Sequence, residues 1–142
     1  MENLSKEVET ILRERFGKDS LVALATTIGG VPYVRNVNAY YEDGSFFVLT
    51  HGLSNKMKQI EVNPKVAIAG DWFTAQGNGV NMGYFGKEEN KAIAEKMRAV
   101  FAAWIDNGHN DFSDVNTCIL RIELTHGLLF SHGRRYEIDF SG

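Results

Sequence analysis

Three side chains of the kinds that bind phosphate lie within twenty-two residues of one another. Arg35 belongs to a predicted strand, Thr50 ends the next predicted strand, and Lys56 follows Ser54 and Asn55 at a predicted helix start. Arginine offers phosphate a planar fork of donors and lysine offers a point charge. The first turn of a helix adds free backbone N–H groups and the positive end of the helix dipole. The segment therefore predicts an anion site, and the phosphate of a nucleotide-like cofactor is the anion that suits it best.

The position of Lys56 is the most informative detail of this segment. The helix dipole favours acidic residues in the first turn, so a lysine there opposes it. An anion held between the dipole and the lysine would remove the mismatch. Thr50 and Ser54 have ordinary explanations as a strand residue and a helix cap. Arg35 alone would be explained as a surface arginine lying along Tyr33, but Arg35, Thr50 and Lys56 together favour an anion site.

Composition and charge exclude several classes of protein. The 142 residues fit one domain, spanning residues 1–142. The net charge of −3 and the scattered basic residues argue against a nucleic-acid-binding protein. Cys118 is the single cysteine and has no metal-type partner nearby, so we expect a buried, unreactive thiol. The four histidines lack ligand spacing, and no metal site is predicted.

The remaining signals concern location and catalysis. The polar, acidic N-terminus does not resemble a secretory signal, and no apolar stretch is long enough to span a bilayer, so we expect a cytoplasmic protein without a membrane partner. The sequence contains no GxSxG, P-loop or GxGxxG motif. No carboxylate pair is placed for acid–base chemistry, so no catalytic side chain is predicted.

Hydrophobic patterning predicts a mainly β, α+β domain with helices inserted between strands. Short turns, such as the one at residues 42–44, predict antiparallel neighbours and argue against a parallel doubly wound sheet. The expected architecture is an antiparallel β-barrel of six to seven strands with packed helices. The predicted helices are 5–16, 54–63 and 87–106, of which the last is the longest. The predicted strands are 21–27, 32–41, 45–50, 65–72, 80–85, 117–123, 127–131 and 136–140. Residues 77–79 are predicted to be a glycine-rich passage that leads into strand 80–85.

The order of five short motifs resembles the pyridoxamine 5′-phosphate oxidase-like flavoproteins, and the general-stress-protein-26-like branch is closest in size. The motifs are Leu24-Ala25-Thr26, Val31-Pro32-Tyr33-Val34-Arg35, Leu49-Thr50, Ser54-Asn55-Lys56 and Asn63-Pro64-Lys65-Val66. The resemblance covers roughly residues 5–140. It implies the FMN-binding split-barrel fold and a homodimer that holds FMN in clefts at the subunit interface.

The resemblance also implies a set of cofactor-binding residues. Arg35 and Lys56 match the residues that bind the FMN phosphate, with Thr50 and Asn55 at neighbouring phosphate contacts. Val37 and Leu49 match backbone or apolar contacts near the flavin. Gln76 or Asn78 matches an amide close to the ring, and Asn78 has the better spacing from Trp72.

Two departures from the family pattern qualify the expected activity. Residues 131–140 lack the tryptophan of the biosynthetic oxidase's terminal motif, so oxidation of pyridoxamine phosphate is not expected. Asn55 stands where many relatives carry a basic residue. The expected function is that of an FMN oxidoreductase passing hydride or electrons between small molecules.

Several alternatives stay open at this point. A split barrel of this kind can use the deazaflavin F420, or haem with a histidine such as His51 or His132 as axial ligand. The chain could instead be a non-catalytic flavin-binding or sensing protein, or a cofactor-free barrel that serves as an interaction protein.

Overall fold

Eight strands and three α-helices make up residues 2–141, which are the residues described by the computed structural model. The strands are β1 (Glu2–Asn3), β2 (Ser20–Ile28), β3 (Val31–Glu42), β4 (Ser45–His51), β5 (Lys65–Gly70), β6 (Phe73–Tyr84), β7 (Thr117–Ser131) and β8 (Arg134–Asp139). The helices are α1 (Lys6–Phe16), α2 (Asn55–Val62) and α3 (Lys91–Val100), and a 3-10 turn (Glu88–Asn90) precedes α3.

Six of the strands close into an antiparallel barrel. Their order is β7-β4-β3-β2-β5-β6, and β6 pairs back to β7. One edge of β7 pairs with β4 over its first half and with β8 over its second half, so β8 extends the sheet beyond the barrel, and β1 lies parallel to β8. Closure leaves no exposed strand edge in the barrel itself. The predicted antiparallel split barrel with inserted helices is therefore confirmed.

Alternating apolar residues fill the barrel, and helices close its two ends. Phe16 of α1 enters one end and meets Phe46 edge-on at a centroid distance of 5.6 Å. Met57 and Ile60 of α2 are buried at the other end. Gly79 makes room for α2, because a Cβ at that position would lie 2.8 Å from Cγ2 of Ile60. The absence of a side chain on β6 thus sets how closely α2 approaches the barrel.

Two predictions about glycine-rich or interrupted strands were wrong in their boundaries. The passage 77–79 lies inside β6 rather than before it, and residues 117–131 form one strand rather than two. A Cβ on Gly77 would lie 2.3 Å from the carbonyl oxygen of Glu123, so glycine is required there by the close approach of β7. Gly77 and Gly79 mark close contacts with β7 and with α2, which a sequence pattern does not distinguish from turns.

The predicted helix 87–106 was also wrong, since the α-helix covers only Lys91–Val100 and α1 is longer. Residues 101–106 continue as turns, with Phe101 and Ile105 buried beside Met97 against the outer face of β4. The apolar spacing therefore persists beyond the helix end, which explains the overestimate. Within residues 2–141, no helix combines the length and apolarity needed to cross a membrane.

Candidate functional site

Arg35 lies on β3 at the end of the barrel that α2 covers. Strand alternation places it on the same face as Val37, which belongs to the core. Its Nη1 donates to the carbonyl oxygen of Leu24 at 3.2 Å and to Oγ1 of Thr26 at 2.9 Å. Its Nη2 donates to Oε1 of Gln59 on α2 at 2.9 Å. The guanidinium is therefore held at the junction of β2, β3 and α2, and every partner is uncharged.

Lys56 lies close enough to Arg35 for their charges to repel. Burial lowers the pKa of Lys56 below its ordinary value, and the charge of Arg35 lowers it further. Burial also lowers the pKa of Arg35, although an arginine stays protonated in proteins. Among residues 4–141, whose side chains the structure describes, no carboxylate lies at ion-pair distance from Arg35 or Lys56. Two half-buried cations without a counter-charge form an arrangement that a bound anion would stabilise.

The start of α2 adds uncharged donors beside Lys56. Ser54 is the N-cap, but its side chain makes no capping hydrogen bond, and the first turn of α2 carries no acidic residue. Oγ1 of Thr50 lies 3.5 Å from Oγ of Ser54, so the two hydroxyl groups are neighbours. The first N–H groups of a helix have no partner within the helix. Thr50, Ser54 and the helix start therefore form a second set of donors next to the cation pair.

Three further predicted contacts occupy different surroundings. Asn55 is exposed in the first turn of α2. Val37 is buried in the barrel, whereas Leu49 packs with the cluster outside β4. Because the side chains of Val37 and Leu49 point to opposite sides of the barrel wall, a ligand touching both would meet at least one through its backbone.

Asn78, like Leu49, faces outward from the barrel, on the side of the wall opposite to Arg35. It lies between inward-facing Gly77 and Gly79, so its own side chain points outward from β6. β5 and β2 separate β6 from β3. A cavity of about 610 Å³ lies on this outer side, lined by residues that include Gln76, Asn78, Lys65 and His126. Within one chain, the side chains of Asn78 and Arg35 therefore face different sides of the barrel wall.

His51 and Cys118 lie beside Thr50. Nδ1 of His51 accepts from the backbone N–H of Leu53 at 3.2 Å, which leaves Nε2 as the donor to Asp114 at 3.2 Å. Both ring nitrogens are therefore engaged. Cys118 is buried, and burial raises the pKa of its thiol, as expected of an unreactive cysteine. Among the described residues, no cluster of three or more histidine, cysteine or acidic side chains is arranged to hold a metal ion.

Sequence reasoning missed Gln59 and Thr26, which fix the position of Arg35. Gln59 follows Lys56 by three residues, a spacing that places both on one face of a helix. That spacing was the available signal for Gln59. Thr26 is buried and was indistinguishable from an ordinary strand residue in the sequence.

The sequence matches no protein-family model and no curated protein. The fold, however, is similar to several solved structures. General stress protein 26 from Bacillus anthracis str. Sterne has a TM-score of 0.68 and 15% identity, covering 92% of this chain and 98% of the other. A FAD-binding protein from Mesorhizobium loti has a TM-score of 0.63 and 17% identity, covering 87% and 92%. A heme-binding protein from Mycobacterium smegmatis has a TM-score of 0.63 and 15% identity, covering 86% and 53%.

These identities are low, and what the four proteins share is the fold. The chain has the split-barrel architecture that its resemblance to pyridoxamine 5′-phosphate oxidase-like proteins implied. By their names, one of these neighbours binds FAD and another binds haem.

Proposed function

We propose that this protein binds FMN and passes hydride or electrons through it between small molecules. The observation that carries the proposal is the pair of half-buried cations, Arg35 and Lys56, which faces no carboxylate among the described side chains of residues 4–141. FMN would supply the redox chemistry when bound. The chain would anchor its phosphate through Arg35 and Lys56, and Thr50 near the end of β4 and Ser54 and Asn55 at the start of α2 would complete the contacts.

The number of charges favours a monophosphate. A phosphate monoester carries between one and a half and two negative charges at neutral pH. Arg35 and Lys56 balance that charge, and Asn55 adds none. The polyanionic tail of F420 would need a wider basic surface, which a chain of net charge −3 with scattered basic residues does not offer. FMN is therefore the preferred ligand among the alternatives.

A homodimer would complete the site. The outer sheet face, meaning the outward side chains of β3, β2, β5 and β6, is formed largely by small or uncharged residues, and Val34 is 70% exposed on it. The cavity containing Asn78 lies on the same face. A second copy packed here would bury apolar surface and bring its own Asn78 toward the flavin ring. We propose that each cofactor lies between two copies.

Haem bound through His51 is less suitable than a flavin. Both ring nitrogens of His51 are engaged. Nδ1 of His132 lies 3.1 Å from Oγ of Ser131, so Nε2 is the nitrogen of His132 that would bind iron. A histidine needs a free nitrogen to coordinate iron, so His51 would first have to give up a hydrogen bond. A flavin requires no such rearrangement.

The direct test is to identify the ligand and then to reduce it. Purified protein should bind FMN more tightly than riboflavin, which lacks the phosphate, and mass identification of the ligand released on denaturation should give FMN. The bound flavin should be reduced by NADH or NADPH in stopped-flow mixing. Tight binding without reduction by either donor would favour the flavin-binding or sensing alternative. No preference for FMN over riboflavin would contradict the proposed phosphate site.

A further inference from the structure

We infer that Gln59 is a positioning residue for the phosphate site, holding the guanidinium of Arg35 with an uncharged acceptor so that the charge of Arg35 stays available to the ligand. The inference rests on the proposed function, because a phosphate is the ligand for which that charge is kept. It concerns a residue on α2 that lies one helical turn from Lys56.

The amide oxygen of Gln59 is the hub of a small hydrogen-bond network. Oε1 accepts from Nη2 of Arg35 at 2.9 Å and from Oγ1 of Thr26 at 2.6 Å. Thr26 in turn accepts from Nη1 of Arg35 at 2.9 Å. Arginine can only donate, so the atom of Gln59 that faces it must be the oxygen, and the orientation of the amide is unambiguous.

The network fixes the guanidinium without neutralising it. Its three acceptors are the carbonyl of Leu24, the hydroxyl of Thr26 and the amide of Gln59. Arginine has five N–H donors, so donors remain for a ligand after these bonds are made. Holding the planar group in one orientation lowers the entropy lost when a phosphate binds.

A carboxylate at position 59 would suit the fold better than an amide does. Glutamate has nearly the same shape as glutamine and could accept the same two hydrogen bonds, now with a charge that Arg35 and Lys56 would attract. A glutamate would also lower the net charge of the site from two positive charges to one. An amide therefore gives up electrostatic stability in the ligand-free protein and retains attraction for an anion, which is the pattern expected of a binding site.

The variant Gln59→Glu separates these two effects. We expect its FMN dissociation constant to rise about 10- to 100-fold, the scale of a charge-assisted hydrogen bond, with riboflavin affinity unchanged. The melting temperature of the ligand-free protein should stay the same or rise. Gln59→Ala keeps both cations and loses the acceptor, so it should lower the melting temperature and weaken FMN binding less than Gln59→Glu does.

Asn107→Asp is the matched control, because it adds the same charge at an exposed loop residue. It should leave FMN affinity unchanged. The inference is overturned if Gln59→Glu binds FMN as tightly as the wild type, loses FMN and riboflavin affinity equally, or is less stable than the wild type without ligand.

A failure of the proposed function would look different. If the wild type binds neither flavin, the FMN proposal fails, and inorganic phosphate becomes the probe. Phosphate that raises the melting temperature of the wild type and of Asn107→Asp, but not of Gln59→Glu, would still support the role of Gln59. If phosphate shifts the melting temperature equally in all three proteins, or in none of them, the role of Gln59 is overturned.

Discussion

Lys56 lies beside Arg35 at the end of the barrel, and the positive charge of Arg35 helps to lower the pKa of Lys56. Like charges held together in a half-buried place lower the stability of a fold unless something compensates. In this protein, we expect a bound anionic ligand to offset the repulsion between Arg35 and Lys56. The relationship leads to predictions in which stability and binding change in opposite directions.

Replacing Lys56 by alanine should weaken FMN binding by about 1.5–3 kcal/mol, because a charge-assisted hydrogen bond to phosphate is lost. The ligand-free protein should not lose stability, since the substitution removes a repulsion. Isothermal titration with FMN, together with thermal unfolding, measures both quantities. Lys58→Ala, an exposed residue of the same helix, is the control and should leave both unchanged. Unchanged FMN affinity in Lys56→Ala would remove this lysine from the site.

The lowered pKa of Lys56 predicts a pH dependence with a definite sign. Folded, ligand-free protein releases this proton at a lower pH than the unfolded chain does, so the contribution of Lys56 to stability improves as pH rises between the two pKa values. Phosphate binding needs the charged lysine, so the preference for FMN over riboflavin should decline as pH rises from about 7 toward about 10.4, the pKa of an ordinary lysine.

Lys56→Arg provides the control for this pH effect. Arginine keeps its charge throughout that range, so the ratio of the riboflavin and FMN dissociation constants should vary less with pH in the variant. Fluorescence titrations at a series of pH values give this ratio. The same decline in both proteins would assign the effect to another group.

Replacing Ala67 by glutamate should prevent dimer formation. Ala67 lies in the middle of the outer sheet face, in register with Ala25 of β2 and Gln76 of β6. A charge buried there without a partner would oppose association. Light scattering coupled to size exclusion should report a dimer for the wild type and a monomer for the variant, with weaker FMN binding in the monomer.

Ala103→Glu is the control for this substitution, because Ala103 is exposed in the turns after α3. It should remain dimeric. An Ala67→Glu protein that is still a dimer would place the interface on another surface of the barrel.

Replacing Gly79 by alanine should destabilise the protein by about 1–3 kcal/mol, the usual cost of overpacking a core. The added Cβ would lie 2.8 Å from Cγ2 of Ile60 and would push α2 away from the barrel. FMN affinity should fall as well, because α2 carries both Lys56 and Gln59. Urea unfolding and FMN titration measure the two effects, and Val115→Ala, an exposed residue of the loop before β7, serves as the control. Wild-type stability in Gly79→Ala would show that α2 is free to shift.

The alternation of apolar residues and the short turns were enough to predict the barrel. Val37 and Phe46 hold inward-facing positions in the apolar alternation of their strands. This alternation depends only on nearby residues, so it can be recognised without knowledge of the rest of the chain. Boundaries that depend on distant partners were missed. Gly77 is inside a strand because β7 passes close to it, and the apolar spacing after Val100 belongs to turns because Phe101 and Ile105 pack on β4.

The candidate site also has features that the sequence predicts and features that only the tertiary structure determines. The types and order of Arg35, Thr50 and Lys56 were sufficient to predict an anion site, since charge and helix position are properties of the sequence itself. Only the tertiary structure placed Gln59 and Thr26 around the guanidinium and set Asn78 on the opposite side of the wall. Those relations depend on how α2 docks and on which way each strand faces, and such long-range geometry follows from packing rather than from spacing along the chain.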